Sequence, residues 1–330
     1  MPVMSDRQYM KTALALAAQG RGHAEPNPMV GAMIVRQGSP VAAGFHRQFG
    51  GPHAEREALA AAGDVTGATM YVTLEPCCHQ GKTPPCTEAL IAAGLARVVV
   101  AMLDPDERVA GRGVAQLRDA GIEVTVGVCE SQARELLAPY IMLRTQHRPW
   151  VIGKWAQTLD GYWAMPAGAG RWISNETSRA DAHRVRGQCD AIAVGIGTVL
   201  ADDPQLTARG DSPARQPVRV VMDSHLRTPP GSRLLQATHP APVIIAATEA
   251  TVRSARELVE TLGDRGAEVW SLAETEGRID PAALLAAMGE RQWTYLLVEG
   301  GPAVMTGFLQ AGLVDELQVY VTPFDAAWAQ

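Results

Sequence analysis

The sequence predicts two successive α/β domains: a three-layer α/β sandwich over residues 1–146, then a second, mostly parallel sheet flanked by helices over residues 147–330. Three observations predict this. The chain has 330 residues, too long for one average domain and comfortable for two, each able to bury its own core. Short β-rich runs alternate with helical stretches along its whole length. Finally, a polar stretch, Arg144-Thr145-Gln146-His147-Arg148-Pro149, separates the two series, and the boundary is placed there.

The elements follow in order. Apolar residues at Met10, Ala13, Leu14, Ala17 and Ala18 have helical spacing. Val30 to Val35 and Val41 to Phe45 are apolar runs separated by Arg36-Gln37-Gly38-Ser39-Pro40, as in an antiparallel hairpin. Pro52 precedes a helical run from His53 to Ala62, and Pro85 precedes another from Cys86 to Ala93; Gly63 and Gly94 close them. Strands are expected at Thr69 to Leu74, Arg97 to Met102 and Ile122 to Val126, with a helix from Val114 to Ala120. Ser131 to Gln146 reads as helical but interrupted by Pro139. Beyond the boundary, strands are expected at Trp150 to Trp155, Ala191 to Val194, Val218 to Met222, Val243 to Ala247, Glu268 to Leu272, Tyr295 to Val298 and Glu316 to Val321. Helical stretches such as Ser254 to Leu262, Ala282 to Met288 and Ala303 to Ala311 lie between them.

Composition narrows the function. No apolar run approaches the roughly 18 to 20 residues of a membrane span, and the N-terminus lacks an export signal. Residues 1–146 carry 13 basic and 14 acidic side chains, and the remainder 16 and 21, so neither half has the basic surplus of a domain held to nucleic acid by phosphate contacts. Five cysteines, three of them between Cys77 and Cys86, suit a metal site in a reducing compartment, which makes the cytoplasm the expected location.

The chemistry concentrates in His53-Ala54-Glu55 and, after a strand, Pro76-Cys77-Cys78-His79-Gln80-Gly81-Lys82-Thr83-Pro84-Pro85-Cys86. Together they are a variant of the zinc-deaminase signature, in which one His and two Cys hold Zn²⁺ and a Glu that is not a ligand moves protons. Three protein ligands leave a fourth position for water, whose pKa zinc lowers to about 7. His53 and Cys86 each follow a Pro at an expected helix start, where the dipole favours anionic groups. The usual second half of the signature is Cys-x-x-Cys, but Gln80 stands three after Cys77 and cannot ligate. Cys78, His79 and Cys86 are the candidates for the third ligand. Cys86 is preferred, because adjacent Cys77 and Cys78 diverge. Glu55, two residues into its helix, is the expected catalytic acid and base.

Pro-Cys-Cys-His-Gln-Gly-Lys-Thr-Pro-Pro-Cys, with Asn27-Pro28-Met29-Val30-Gly31 and Gly44-Phe45-His46 upstream, resembles the bifunctional riboflavin-biosynthesis deaminase/reductase family. Past the boundary, Lys154-Trp155-Ala156-Gln157-Thr158-Leu159-Asp160-Gly161, Trp172-Ile173-Ser174, the run from Gly197 to Arg209, and Val298-Glu299-Gly300-Gly301-Pro302 are similar to its reductase half. The resemblance implies a cytidine-deaminase-like sandwich followed by a dihydrofolate-reductase-like α/β domain. It implies hydrolysis of the 2-amino group of 2,5-diamino-6-ribosylamino-4(3H)-pyrimidinone 5′-phosphate, then reduction of the ribosyl group to ribityl with NADPH. In the first domain, Asn27, His46, His79, Lys82 and Asp104 would contact substrate. In the second, Lys154, Ser174, Arg186, Leu206, Arg209 and Glu299 would contact substrate, with Arg186 and Arg209 on its phosphate. Ala156, Trp172, Thr198, Asp202, Gly300 and Gly301 would contact NADPH. The reductase half has no Gly-x-Gly-x-x-Gly fingerprint, so its cofactor site rests on the resemblance alone. The partner is thus a small pyrimidine ribosyl phosphate, not nucleic acid or membrane, and a homo-oligomer is expected.

This chain departs from the family at Asp106, usually Asn, and at Cys78, commonly Ser. After Pro323 it reads Phe324-Asp325-Ala326-Ala327-Trp328-Ala329-Gln330, so a reductase sheet shortened at its C-terminal end is expected, with reductase activity less secure than deamination. Rival readings are a nucleoside or tRNA deaminase with an accessory domain, a deaminase with an inactive reductase, and a zinc-stabilised binding module.

Overall fold

The computed structural model describes residues 4–80, 84–163, 173–210, 213–236 and 241–322. Two sequence expectations for site residues, Lys82 and Trp172, lie outside the described residues, as does the segment after Thr322. The chain divides into two compact units, Met1–Gln146 and His147–Gln330.

The first unit runs α1 (Asp6–Ala17), β1 (Gly31–Arg36), β2 (Ser39–Phe45), α2 (Ala54–Ala61), β3 (Thr69–Val72), α3 (Cys86–Ala92), β4 (Arg97–Val100), α4 (Arg112–Asp119), β5 (Glu123–Val126), α5 (Glu130–Leu136) and α6 (Ala138–Gln146). Its five-stranded sheet has the order β2-β1-β3-β4-β5. The β1 strand is antiparallel to both neighbours, whereas β3, β4 and β5 are parallel. Two glycines explain the layering. A Cβ on Gly31 would lie 2.1 Å from the Ala13 carbonyl oxygen of α1, and one on Gly44 would lie 2.6 Å from the Ala58 nitrogen of α2. Gly44 pairs with Ala32, the residue after Gly31, so the two positions face opposite sides of the sheet and α1 and α2 cover opposite faces. Pro139 does not interrupt a single helix. It sits in the first turn of α6, where its missing N–H costs nothing, and α5 ends just before it.

The second unit runs β6 (Trp150–Gln157), α7 (Glu176–Arg186), β7 (Ala191–Gly195), α8 (Ile196–Asp202), β8 (Val218–Met222), β9 (Val243–Thr248), α9 (Glu249–Ser254), α10 (Arg256–Asp264), β10 (Ala267–Leu272), β11 (Glu274–Thr275), β12 (Arg278–Ile279), α11 (Pro281–Glu290), β13 (Tyr295–Val298), α12 (Pro302–Gln310) and β14 (Glu316–Val321). Seven strands in the order β10-β9-β8-β7-β13-β6-β14 pair only in parallel among the described residues. β11 and β12 form a separate antiparallel pair. Burial on both faces is visible residue by residue: Ile192, Val194, Val221, Ile245 and Leu297 belong to one core, while Ala191, Ala193, Val220, Ile244 and Leu296 belong to the other. The helix expected over Ser254 to Leu262 is α10, and a short helix not expected, α9, precedes it and ends at Ala255 (φ −112°, ψ 47°).

Candidate active sites

In the first unit, two helix starts and one loop converge. His53 is the N-cap of α2, in extended conformation, and its carbonyl accepts the Glu57 N–H at 3.0 Å. Cys86 is the first residue of α3, with Pro85 as its N-cap. Cys77 follows β3 on the loop that begins at Thr73. Cys77 Sγ lies 3.6 Å and Cys86 Sγ 3.4 Å from His53 Nδ1, and the Cys86 N–H donates to Cys77 Sγ at 3.3 Å. The three ligand atoms all lie within 4.8 Å of one another. Of the three candidates for the third ligand, the structure gathers Cys86 with His53 and Cys77; Cys78 and His79 stand outside this group among the described residues. The hydrogen bond from Cys86, reinforced by His53, pulls the Cys77 thiol down, while the same partnership and burial push the Cys86 thiol up. One imidazole nitrogen and two sulfurs are a donor set that fits zinc.

His53 and Cys77 open on a cavity of about 250 Å³ lined also by Asn27, His46, Glu55, His79 and Asp104, with Cys86 buried behind them. Glu55, the second residue of α2, is 3% exposed, and burial raises its pKa above the usual carboxylate range. His46 Nδ1 lies 2.9 Å from the Pro52 carbonyl oxygen, an acceptor, so Nδ1 carries the proton and Nε2 accepts from Asn27 Nδ2 at 3.1 Å. Burial lowers the His46 pKa, which keeps this ring neutral. Asp104 moves the other way: burial raises it to about 6.

Sequence reasoning missed part of the cavity wall. Glu75, Arg108, Tyr140 and Arg144 line it, and Asp106 does so too. The Glu75 carboxylate accepts the backbone N–H groups of Asp104 (3.2 Å), Gly111 (2.8 Å) and Val114 (3.0 Å), cinching the 104–114 loop against the metal loop. A signal was present in the form of a carboxylate set between apolar residues and two positions before a metal ligand. Tyr140 and Arg144 come from α6, which no local motif marks.

In the second unit, Val298 pairs with Gly153, so Lys154 and Glu299 continue side by side from neighbouring parallel strands. Lys154 Nζ lies 3.6 Å from Glu299. Arg186, the last residue of α7, grips the same carboxylate with two donors, at 2.8 and 2.6 Å, and donates to the Thr207 carbonyl at 3.3 Å. Burial would push Glu299 up, but Arg186 and Lys154 outweigh it and hold the carboxyl at about 2. Arg209 joins through Thr207 Oγ1 at 3.3 Å, and Leu206, the residue before Thr207, is buried at φ 54°. Ser174 lies just ahead of α7, its carbonyl accepting from Arg179 at 2.6 Å. His183, unforeseen from sequence, is one turn before Arg186 and is kept neutral by burial and by Arg186 and Arg209.

The expected cofactor residues spread along the carboxyl ends of β6, β7 and β13: Ala156 on β6, Thr198 and Asp202 on α8, and Gly300-Gly301 ahead of α12. A Cβ on Gly300 would come within 2.6 Å of Val304, which fixes the tight turn, whereas one on Gly301 would meet nothing within 4 Å. Gly301 is the N-cap of α12; Pro302 has no N–H and the Val304 N–H donates to the Gly301 carbonyl oxygen at 3.1 Å, which leaves the Ala303 N–H of the first turn facing the open approach. An open helix start beside a cluster of cations fits a phosphate-bearing cofactor such as NADPH.

Comparison with known proteins identifies the family. Residues 4–102 match the cytidine and deoxycytidylate deaminase zinc-binding region, and residues 149–324 match the RibD C-terminal domain. The riboflavin biosynthesis protein RibD of Aquifex aeolicus is 44% identical over 96% of this chain and 87% of its own length; that of Escherichia coli K12 is 42% identical over 97% and 88%. Among solved structures, Acinetobacter baumannii RibD superposes with a TM-score of 0.84 at 38% identity, covering 97% of this chain and 87% of that one. A diaminohydroxyphosphoribosylaminopyrimidine deaminase/5-amino-6-(5-phosphoribosylamino)uracil reductase from Thermotoga maritima gives 0.83 at 37% identity, with the same coverage. Fold and site therefore define a zinc-binding deaminase unit joined to a reductase unit. The chain belongs to the RibD family of riboflavin biosynthesis proteins.

Proposed function

We propose that the first unit hydrolyses the 2-amino group of 2,5-diamino-6-ribosylamino-4(3H)-pyrimidinone 5′-phosphate, and that the second reduces the ribosyl group of the resulting uracil to ribityl with NADPH. One observation carries the reading: His53, Cys77 and Cys86 converge, and His53 and Cys77 share a single cavity with a buried carboxyl, Glu55. His53, Cys77 and Cys86 would hold the zinc, which would supply a polarised water when bound. Glu55 is placed to take a proton from the water that attacks the ring carbon and to deliver one to the departing amine, which leaves as ammonia. Its raised pKa suits both roles. Neutral His46, locked by Pro52, holds the Asn27 amide in a fixed orientation against the ring. His79 and Asp104 complete the wall, and Lys82 meets the phosphate.

In the second unit, NADPH supplies the hydride when bound. Lys154, steadied by Glu299, donates to the ribosyl oxygens; Arg186 and Arg209 take the phosphate, with Leu206 and Ser174 bordering the substrate. The Gly300-Gly301 turn, with Ala156, Trp172, Thr198 and Asp202, holds the cofactor. Among the described residues no helix is long and apolar enough to cross a membrane. A thiol-rich metal site suits the reducing cytoplasm. Homo-oligomerisation is supported by β14, the edge strand among the described residues, where Leu317, Val319 and Val321 are 52%, 38% and 51% exposed.

A coupled assay on the purified full-length chain tests both halves, following ammonia release and NADPH oxidation separately from the diaminopyrimidine phosphate. Both should proceed, oxidation only after deamination. Lys154→Ala or Arg209→Ala should abolish NADPH oxidation and spare ammonia release. Unchanged oxidation in both variants would remove the reductase assignment, and absence of ammonia release from the parent would remove the deaminase one.

A further inference from the structure

We propose that Tyr140 is a positioning residue for deamination: its hydroxyl fixes one oxygen of the Asp104 carboxylate so that the other meets hydrogen-bond donors of the pyrimidine ribosyl phosphate. This rests on the reading of Asp104 as a substrate contact. Asp104 Oδ1 accepts two hydrogen bonds, from the Asp106 N–H at 2.9 Å and from Tyr140 Oη at 3.0 Å. Its backbone N–H is held by Glu75 at 3.2 Å. Oδ2 accepts nothing from the protein among the described residues, although Asp104 lines the cavity and is only 8% exposed. Main chain and one carboxylate oxygen are thus fixed from two different elements, and the second oxygen is left for a ligand with N–H or O–H groups, which the amino groups and ribosyl hydroxyls of such a substrate supply.

Tyr140 is placed for this task by α6. Its ring is 7% exposed and belongs to the core of the first unit, with the Arg144 guanidinium 5.3 Å from the ring centroid. A phenylalanine would fill the same space, so the hydroxyl is the informative atom: its hydrogen-bond partner is the cavity carboxylate.

The charged surroundings set the direction of the pH effect. Asp106 and Arg108 face Asp104 from its own loop, Glu75 from the metal loop, and Tyr140 and Arg144 from α6. Burial is the largest influence on Asp104 and raises it to about 6; the bonds from the Asp106 N–H and Tyr140 oppose that rise. Asp106 stays ionised across the working range, held at about 2 by Arg108. Removing the Tyr140 hydroxyl therefore raises Asp104 further, and the carboxylate is lost at a higher pH as pH falls.

The test measures kcat and KM for ammonia release from the diaminopyrimidine phosphate as a function of pH, in zinc-loaded full-length chains carrying Tyr140→Phe, Asp104→Asn or both. Tyr140→Phe should raise KM about tenfold with kcat little changed, the loss expected for one hydrogen bond to a charged group. It should also move the acid-side rise of KM to higher pH. The double variant should match Asp104→Asn alone, because Tyr140 acts through Asp104. Zinc content and melting temperature verify that each variant is folded. If Asp104→Asn raises KM while Tyr140→Phe leaves KM and its pH profile unmoved, Tyr140 is only a core residue and the inference falls while the reading of Asp104 stands. If Asp104→Asn leaves KM unchanged, the reading of Asp104 falls, and the inference with it.

Discussion

Glu299 shows how much one buried carboxylate organises. It is gripped by Arg186 and Lys154, so its folded-state pKa lies at about 2, below the ordinary 4.5. The stabilisation is complete above 4.5, where the unfolded chain is also ionised, and is lost as pH falls from 4.5 toward 2. It amounts to about 3 kcal/mol. All seven tryptophans lie beyond residue 146, so tryptophan fluorescence reports the second unit alone. Urea unfolding followed this way should show stability falling across that window, and Glu299→Gln should flatten the fall while lowering stability at pH 7 by leaving Arg186 unpaired. An equally steep fall in the variant would contradict the assignment. At this scale the metal residues were legible because their chemistry is local in sequence: a His and a Cys each just after a Pro, and a Glu two residues on. His183, Glu75 and Tyr140 were not, because each gains its role only from a partner between 3 and 116 residues away.

Elements carry the site by their starts and their close approaches. Proline before His53 and before Cys86 marks where α2 and α3 begin, and those starts were read correctly from sequence. The contribution of α4 was hidden, because it depends on how closely the helix meets the metal loop. A Cβ on Gly113 would lie 2.2 Å from the Pro76 carbonyl oxygen and 3.2 Å from Glu75 Oε1. Gly113→Ala should therefore destabilise the first unit by about 1–3 kcal/mol and raise KM for deamination, despite the better helix propensity of alanine. Gly263, inside α10 with open space around it, provides the contrast: Gly263→Ala should be neutral or stabilising by up to about 1 kcal/mol. Thermal melts of the two variants decide this, and a neutral Gly113→Ala would show that the loop is not pinned. The short helix α9 escaped the sequence reading, whereas the division between α5 and α6 was marked by Pro139, which lies in the first turn of α6 and not at the break itself.

At the scale of the whole molecule, alternation of strands and helices gave two sheets, the polar stretch around Gln146 separated them, and motif spacing named the family. Strand order did not follow from the sequence, because neighbours such as β13 and β6 are brought together from 138 residues apart. Deamination depends most on a metal held by one imidazole and two thiolates, with a carboxyl beside it that does no ligating. The direct measurement is zinc content and ammonia release of Glu55→Gln beside the parent protein. The account predicts one zinc per chain in both and a loss of ammonia release of about 10²–10⁴-fold in the variant. Loss of zinc from Glu55→Gln, or ammonia release at the parent rate, would contradict it.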